Sequence, residues 1–291
     1  MSDSDSTYEA YRYNPSLGAA VAFVVLFTST TTFHLYQMIR TRTWYFIPFV
    51  VGGAFEFIGY IGRAISSQQS PNWTIGPYLV QTLFLLLAPA LFSASVYIQL
   101  GRIILLVDGE DHSIIKKRWL TKIFVTGDVL SFLTQAIGGS IMASGTLSAM
   151  HTGAHIIVGG LFIQVVFFGL FMVVAFVFDF KLHKYPTPDP AIPSQKHLKT
   201  LYIASILIMI RSLFRVVEYI EGNNGYLLRH EYYLYISDAV LMLGVMVLFN
   251  VIHPSEVHAL LRGGKVSKGF RMITLNTSKL SSTSSDETGV V

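Results

Sequence analysis

The chain has 291 residues, 52% of them hydrophobic and only 13% charged, with a formal net charge of +4. A soluble globular protein carries about 25% charged residues, so an ordinary aqueous domain is excluded. The small basic excess sits in loops beside apolar stretches, where anionic lipid headgroups explain it better than nucleic acid does.

Residues 1–16 are polar and acidic, with Asp3, Asp5 and Glu9 against Arg12. A cleavable signal needs a basic start, so this segment reads as an extracellular N-terminus, and the first apolar span is expected to direct its own insertion. Seven apolar stretches follow: Leu17–Met38, Trp44–Ala64, Pro77–Ile104, Leu120–Ala143, Ala154–Phe178, Lys199–Glu221 and Tyr232–Ile252. Each offers about 20 residues, which as a helix covers roughly 30 Å of hydrocarbon. They predict an all-α polytopic membrane protein, a seven-transmembrane helix bundle over residues 17–252, with no room for a separate soluble domain.

Within the spans, Pro89 predicts a kink in the third, because proline lacks the backbone donor and clashes with the preceding turn. The pairs Gly52-Gly53, Gly138-Gly139 and Gly159-Gly160 predict close helix approach. The stretch from Tyr185 to Pro193, with prolines at 186, 188, 190 and 193, cannot be helical. His253-Pro254 predicts the end of the seventh helix. Residues 253–291 form a tail, basic through Arg262, Lys265, Lys268 and Arg271, then Ser/Thr-rich, expected to be disordered and cytoplasmic.

Orientation follows from the asymmetry of Lys and Arg. One set of loops holds Arg40, Arg42, Lys116, Lys117, Arg118, Lys181, Lys184, Lys196 and Lys199; the opposite set holds only Arg12 and Arg229. The first set is expected on the cytoplasmic side, placing the N-terminus outside and the C-terminus inside. Asn72-Trp73-Thr74 is then a glycosylation candidate on the outer side.

A charge inside hydrocarbon costs about 2.5–3.5 kcal/mol even on lenient scales, so the ionisable residues within spans should face inward. They are Glu56, Arg63, Asp128, Arg211, Arg215, Glu218 and Asp238, accompanied by Gln135. Gly52, Glu56, Gly59 and Arg63 recur at helical spacing and share one stripe. Asp128, Ser131, Gln135 and Gly139 form a second stripe. Arg211, Arg215 and Glu218 form a third, with all three head groups on one side. Two roles stay open for this set: an ion-pair network that holds helices together, or the wall of a cavity that receives the polar head of an amphipathic solute.

Other chemistries find no support. Cysteine is absent, which removes disulfides and thiolate sites. His151 and His155 could share a helix face, but Gly153 lies between them at an expected loop-to-helix junction and the HExxH glutamate is missing, so no metal site is expected. There is neither a P-loop nor a G-x-S-x-G elbow. No cofactor and no enzymatic activity are expected.

Several blocks carry a family resemblance. They are Phe55-Glu56-Phe57-Ile58-Gly59-Tyr60-Ile61-Gly62-Arg63, the run from Leu87 to Tyr97 around Pro89, Gly127-Asp128-Val129-Leu130-Ser131-Phe132 with Gln135, Gly160 through Gln164, Ile210 through Tyr219, and Glu231 through Tyr235 with Asp238 and Met242. In these the chain resembles the fungal lipid-translocating exporter family, the RTA-like seven-span membrane proteins. The resemblance implies export or flipping of sphingoid long-chain bases, resistance to membrane-active toxins such as amino-sterols, or porphyrin handling. It implies a plasma-membrane location, with internal membranes as the alternative, and supplies no catalytic residue. The expectation is a transporter or flippase-like exporter of amphipathic lipids or toxins, not ATP-driven by itself, whose partners are membrane lipids and the solute. The alternatives are a seven-helix receptor or sensor regulating lipid asymmetry, and an intramembrane zinc lipid amidase. The last is disfavoured because His34, His151, His155 and His253 are scattered.

Overall fold

Helix α1, Leu17–Thr41, starts where the Ser16 side chain accepts a hydrogen bond from the Ala19 N–H at 3.4 Å, an N-cap that satisfies one orphan donor. It stops at Arg42, which is left-handed at φ 54°. There the Thr43 and Arg42 N–H groups close back on the Met38 and Ile39 carbonyls, the double closure of a Schellman ending. A 3-10 turn, Trp44–Phe46, leads into α2, Ile47–Gln68, with Pro48 in its first turn, where no backbone donor is needed. Helix α3, Ile75–Leu106, ends in the same way on Asp108, at φ 49°, with the Gly109 N–H bonded to the Ile104 carbonyl. Then come α4, Lys117–Met142, α5, Leu147–Lys184, and α6, Ser194–Glu221. Helix α7 begins as Glu231–Leu234, passes through a π-helical turn at Tyr235–Val240 and continues as Leu241–Val251. A short α8, Ser255–Leu260, follows Pro254.

This is a computed structural model, and it describes residues 13–70, 72–109, 113, 115, 117–142, 146–184, 194–221, 226 and 230–262. The acidic segment before Tyr13, Lys116, the proline-rich stretch, Arg229 and the tail beyond residue 262 lie outside the described residues, as do the expectations that fall on them.

Among the described residues the protein is all-α, with seven helices long and apolar enough to cross a membrane. The fifth is longer than its apolar core suggests: Leu147–Lys184 replaces the expected Ala154–Phe178. At 1.5 Å per residue it runs about 57 Å. Hydropathy marks only the part in hydrocarbon, and a helix already nucleated propagates into polar sequence at little cost. His151 and His155 are therefore helical and exposed, not at a loop junction. At the other end of the chain, the helix does break at Ile252–His253 before Pro254, as the dipeptide predicts.

Helix α2 packs between α1 and α3, and α4 lies along α5. Helix α3 is central, touching α2, α4, α6 and α8, while α7 packs against α6 and α1. Aromatic rings fill the interior. Phe46, Phe49, Phe92 and Phe249 interlock near one end, and Tyr97, Phe124, Phe168 and Phe171 join α3, α4 and α5. The outward surface is apolar too, with Phe162 61% and Phe180 65% exposed. So many bare large apolar side chains suit acyl chains as the solvent rather than water. The end at which α1 begins is called the N-side below, and the opposite end the C-side.

Candidate functional site

The α2 stripe exists as a buried face: Gly52, Glu56, Gly59 and Arg63 all point inward. Its two glycines bring α3 close on either side of Glu56. A Cβ at Gly52 would stand 3.1 Å from the Ala88 carbonyl oxygen and 2.8 Å from the Phe92 ring; one at Gly59 would stand 2.7 Å from Leu85. Larger residues at either position would push α3 away from the carboxyl.

Helices α6 and α7 supply the opposite wall. Arg211, wholly buried, donates through Nε to Asp238 Oδ1 at 2.6 Å. Arg215 reaches the other oxygen of Asp238 at 3.4 Å and donates to Glu218 Oε2 at 3.0 Å. Asp238 lies in the π-helical turn of α7, where one extra residue per turn rotates the side-chain register. Arg211 also donates through Nη2 to the Leu85 carbonyl of α3. Pro89 explains why that carbonyl is available. In a regular helix the residue four positions later donates to it, and proline has no N–H to give.

On the N-side, Arg63 organises a second network. Its Nε donates to the Tyr235 hydroxyl at 2.9 Å, and its Nη2 donates to the Tyr13 hydroxyl at 2.9 Å and Glu231 Oε1 at 2.8 Å. The same Glu231 oxygen accepts from the Ser16 N–H at 2.7 Å, tying the start of α1 to α7. Tyr60 and Tyr235 stack with Phe23 beneath it. Beside this network lies a small cleft, with room for about one water molecule, lined by Tyr13, Phe214, Glu218, His230, Tyr233, Leu234 and Ser237. Glu218 thus touches both the cleft and, through Arg215, the buried ladder that ends at Arg211.

Two acids stand outside these pairs. Glu56 is 0% exposed, and neither of its oxygens has a hydrogen-bond partner among the described residues. Arg211, Arg215 and Asp238 lie within electrostatic reach of it. Asp128 on α4 is 4% exposed, and its oxygens make no hydrogen bond of good geometry, although the Tyr97 hydroxyl stands nearby. Two turns further along α4, Gln135 donates to Ser131 Oγ at 2.7 Å, and Ser131 donates to the Gly160 carbonyl of α5 at 2.6 Å. Gln135 also reaches Gln164 at 3.5 Å. The second stripe therefore splits. Asp128, Ser131 and Gln135 face α5 and α3, but Gly139 meets open space, and Gly138 is the residue pressed against the α5 backbone.

The C-side is closed by α8. Glu256 accepts from Lys196 at 2.6 Å and pairs with His197 at 3.0 Å. Tyr45 donates to the Pro254 carbonyl at 3.0 Å, and the Arg102 guanidinium lies 3.4 Å over the Tyr45 ring. His34 is buried against the Met246 carbonyl at 2.9 Å. Among the described residues no cluster of three or more His, Cys, Asp or Glu side chains could hold a metal. Asn72 is exposed in the short link between α2 and α3, on the N-side.

The structure thus joins Glu56, Arg211, Arg215, Glu218 and Asp238 around one region. It places Arg63 in an adjoining network on the N-side, and Asp128 with Gln135 in a separate seam between α3, α4 and α5. The partners that sequence spacing does not single out are Glu231, Tyr13, Tyr235 and the Leu85 carbonyl. Glu231 and Tyr235 stand in a block that carries the family resemblance, and the Leu85 carbonyl had the proline four residues on as its signal.

The family model described as RTA1 like protein matches residues 49–260. The chain is similar to Protein RTM1 of Saccharomyces cerevisiae, 36% identical over 85% of this chain and 92% of that protein. It is similar to Protoporphyrin uptake protein 1 of the same species, 36% identical over 86% of this chain and 94% of that one. With the Sphingoid long-chain base transporter RSB1 it shares 26% identity over 82% of this chain and 72% of the relative. No solved structure matches.

Proposed function

We propose that this chain, which belongs to the RTA1-like protein family, moves amphipathic, lipid-like small molecules across the membrane it spans. The observation that carries the reading is the charged ladder Glu218–Arg215–Asp238–Arg211, which leads from the N-side cleft to the buried Glu56. A polar head has to leave water, and inside hydrocarbon it needs groups of both signs to replace its hydration. The relatives' names fit a site of mixed sign: a sphingoid base carries an ammonium and a protoporphyrin carries carboxylates. The lipid tail or macrocycle would travel along the apolar outer faces of the same helices.

The distribution of Lys and Arg supports an N-side that faces the exterior, with the plasma membrane as the proposed location. The sequence has no P-loop, so the work is assigned to a solute or ion gradient. The test is reconstitution into proteoliposomes with labelled sphingosine, protoporphyrin and a sterol amine, comparing the wild-type chain with Glu218→Gln. At the cleft rim that change spares the packed interior. Flux above protein-free vesicles, reduced in the variant, supports the reading. Flux equal to protein-free vesicles for every solute sinks it, and saturable binding without flux would favour a sensor instead.

A further inference from the structure

Taken pairwise, the buried charges around α2, α6 and α7 balance without Glu56. Arg63 faces Glu231, Arg211 faces Asp238, and Arg215 is shared between Asp238 and Glu218. Ionised, Glu56 would add an unmatched negative charge to a site where it is wholly enclosed and where, among the described residues, no donor reaches either oxygen. The cost of an ion so placed is relieved by binding a cation, and the smallest cation is a proton. The groups facing it are Arg211 and Arg215 from α6, Asp238 from the π turn of α7 and Tyr60 one turn along its own helix. The α3 surface opposite is Leu85, Ala88 and Phe92, and neither α3 nor α1 brings a charge to it.

We infer that Glu56 is a proton-binding carboxyl at the centre of the bundle, and that the ammonium head of a cationic amphiphile displaces that proton when it enters the site. This rests on the translocation reading and deepens it. When the head arrives, the carboxyl O–H breaks, its electron pair stays on the carboxylate, the proton passes to water on the side from which the head came, and the carboxylate then pairs with the ammonium. The enclosed charge is the same before and after, one cation exchanged for another. The glycines at 52 and 59 suit this role, because they let α3 close over the carboxyl through Phe92, the Ala88 carbonyl and Leu85 and so keep water from it. Net movement is then an exchange of one proton for one cationic head, and an opposing proton gradient would drive accumulation of the amphiphile.

Two measurements separate this from the broader reading. Infrared difference spectra of the purified, detergent-solubilised chain should show the carbonyl stretch of a protonated carboxylic acid in neutral buffer. Glu56→Gln should remove it, and an N-trimethylated sphingosine should bleach it in the wild type. A band untouched by the variant or by the ligand overturns the proton site, whether or not transport occurs. In proteoliposomes, the same permanently charged ligand cannot leak through as a neutral amine. Its flux should follow an imposed proton gradient and acidify the compartment it leaves behind the membrane, as reported by a trapped dye. Flux in the wild type that ignores the gradient overturns the exchange. A ligand-sensitive band with no flux for any solute keeps the proton site and overturns translocation instead.

Discussion

Arg211 of α6 donates a hydrogen bond to the carbonyl of Leu85 of α3, the acceptor that Pro89 leaves without a helical donor. The proline and the ion pair are thus one device. Proline opens the backbone of the central helix at mid-depth, and a guanidinium already committed to Asp238 fills the gap. Replacing Pro89 by alanine restores the missing N–H. Loss of Arg211 then strands only Asp238, not Asp238 and a buried carbonyl together. The expected outcome is that Arg211→Ala destabilises the Pro89→Ala background less than the wild type, by about 1–2 kcal/mol, the cost of one unsatisfied buried acceptor. Unfolding in mixed detergent micelles measures this as a double-mutant cycle. Equal penalties in the two backgrounds would mean that proline and arginine act independently.

The buried pair itself makes a second prediction. Removing one partner of a buried ion pair leaves an uncompensated charge and costs about 3–5 kcal/mol. Arg211→Ala and Asp238→Ala should each approach that figure. The double variant should cost less than their sum, because no stranded charge remains. Glu218→Ala should cost less, because its pair is less enclosed, at 9% and 17%, and Arg215 keeps Asp238 as a partner. Thermal inactivation of the solubilised chain ranks the series. An Arg211→Ala variant as stable as Glu218→Ala would contradict the buried geometry.

Asp128 behaves differently, because among the described residues no cation pairs with it. An amide costs less to bury than an ionisable carboxyl and can donate to the nearby Tyr97 hydroxyl. Asp128→Asn should therefore leave stability unchanged or raise it by up to about 1 kcal/mol, in contrast to the loss expected for Asp238→Asn, which removes the anion from two arginines. A clear fall in melting temperature for Asp128→Asn would show that the carboxylate has a charged partner.

Helical spacing exposes faces but not what crosses between helices. The intervals that link Gly52, Glu56, Gly59 and Arg63 put them on one stripe, and the stripe is buried as expected. The same reasoning groups Arg211, Arg215 and Glu218, and they do share a side. Nothing in those intervals says that Arg211 takes Asp238 rather than Glu56, or that Arg63 reaches Glu231 and Tyr13. Those choices are made by helix packing and by the π turn, which shifts Asp238 out of the register a regular helix predicts. The fifth helix shows a different limit. Its apolar window reports contact with lipid, and the chain stays helical well past both edges of it.

The glycine pairs make a sharp comparison, since neighbours in sequence have opposite surroundings. A Cβ at Gly138 would stand 2.7 Å from the Gly153 carbonyl oxygen of α5, and one at Gly160 would stand 2.9 Å from the Ser131 carbonyl oxygen of α4. Gly139 and Gly159 meet nothing within 4 Å. Gly138→Ala and Gly160→Ala should force α4 and α5 apart and destabilise by about 1–3 kcal/mol. Gly139→Ala and Gly159→Ala should stabilise by up to about 1 kcal/mol, as alanine does in a helix interior. Melting temperatures that fail to separate the two pairs would argue against the α4–α5 contact.

Orientation can be read directly, because the sequence contains no cysteine and any introduced thiol stands alone. Asn72 is exposed in the N-side link between α2 and α3, and Lys184 is exposed at the C-side end of α5. In intact cells, a membrane-impermeant maleimide should label Asn72→Cys. It should label Lys184→Cys only after permeabilisation, as a cytoplasmic location for the basic loops requires. Both positions lie away from the packed interior, so neither change should disturb folding. Substituting Asn72 also removes the sequon, so a downward mobility shift in that variant would report sugar on the wild-type chain and give the same answer independently. Labelling of Lys184→Cys in intact cells, with Asn72→Cys protected, would invert the bundle. The cleft beside Glu218 would then open to the cytoplasm, and loading of solute would begin from that side.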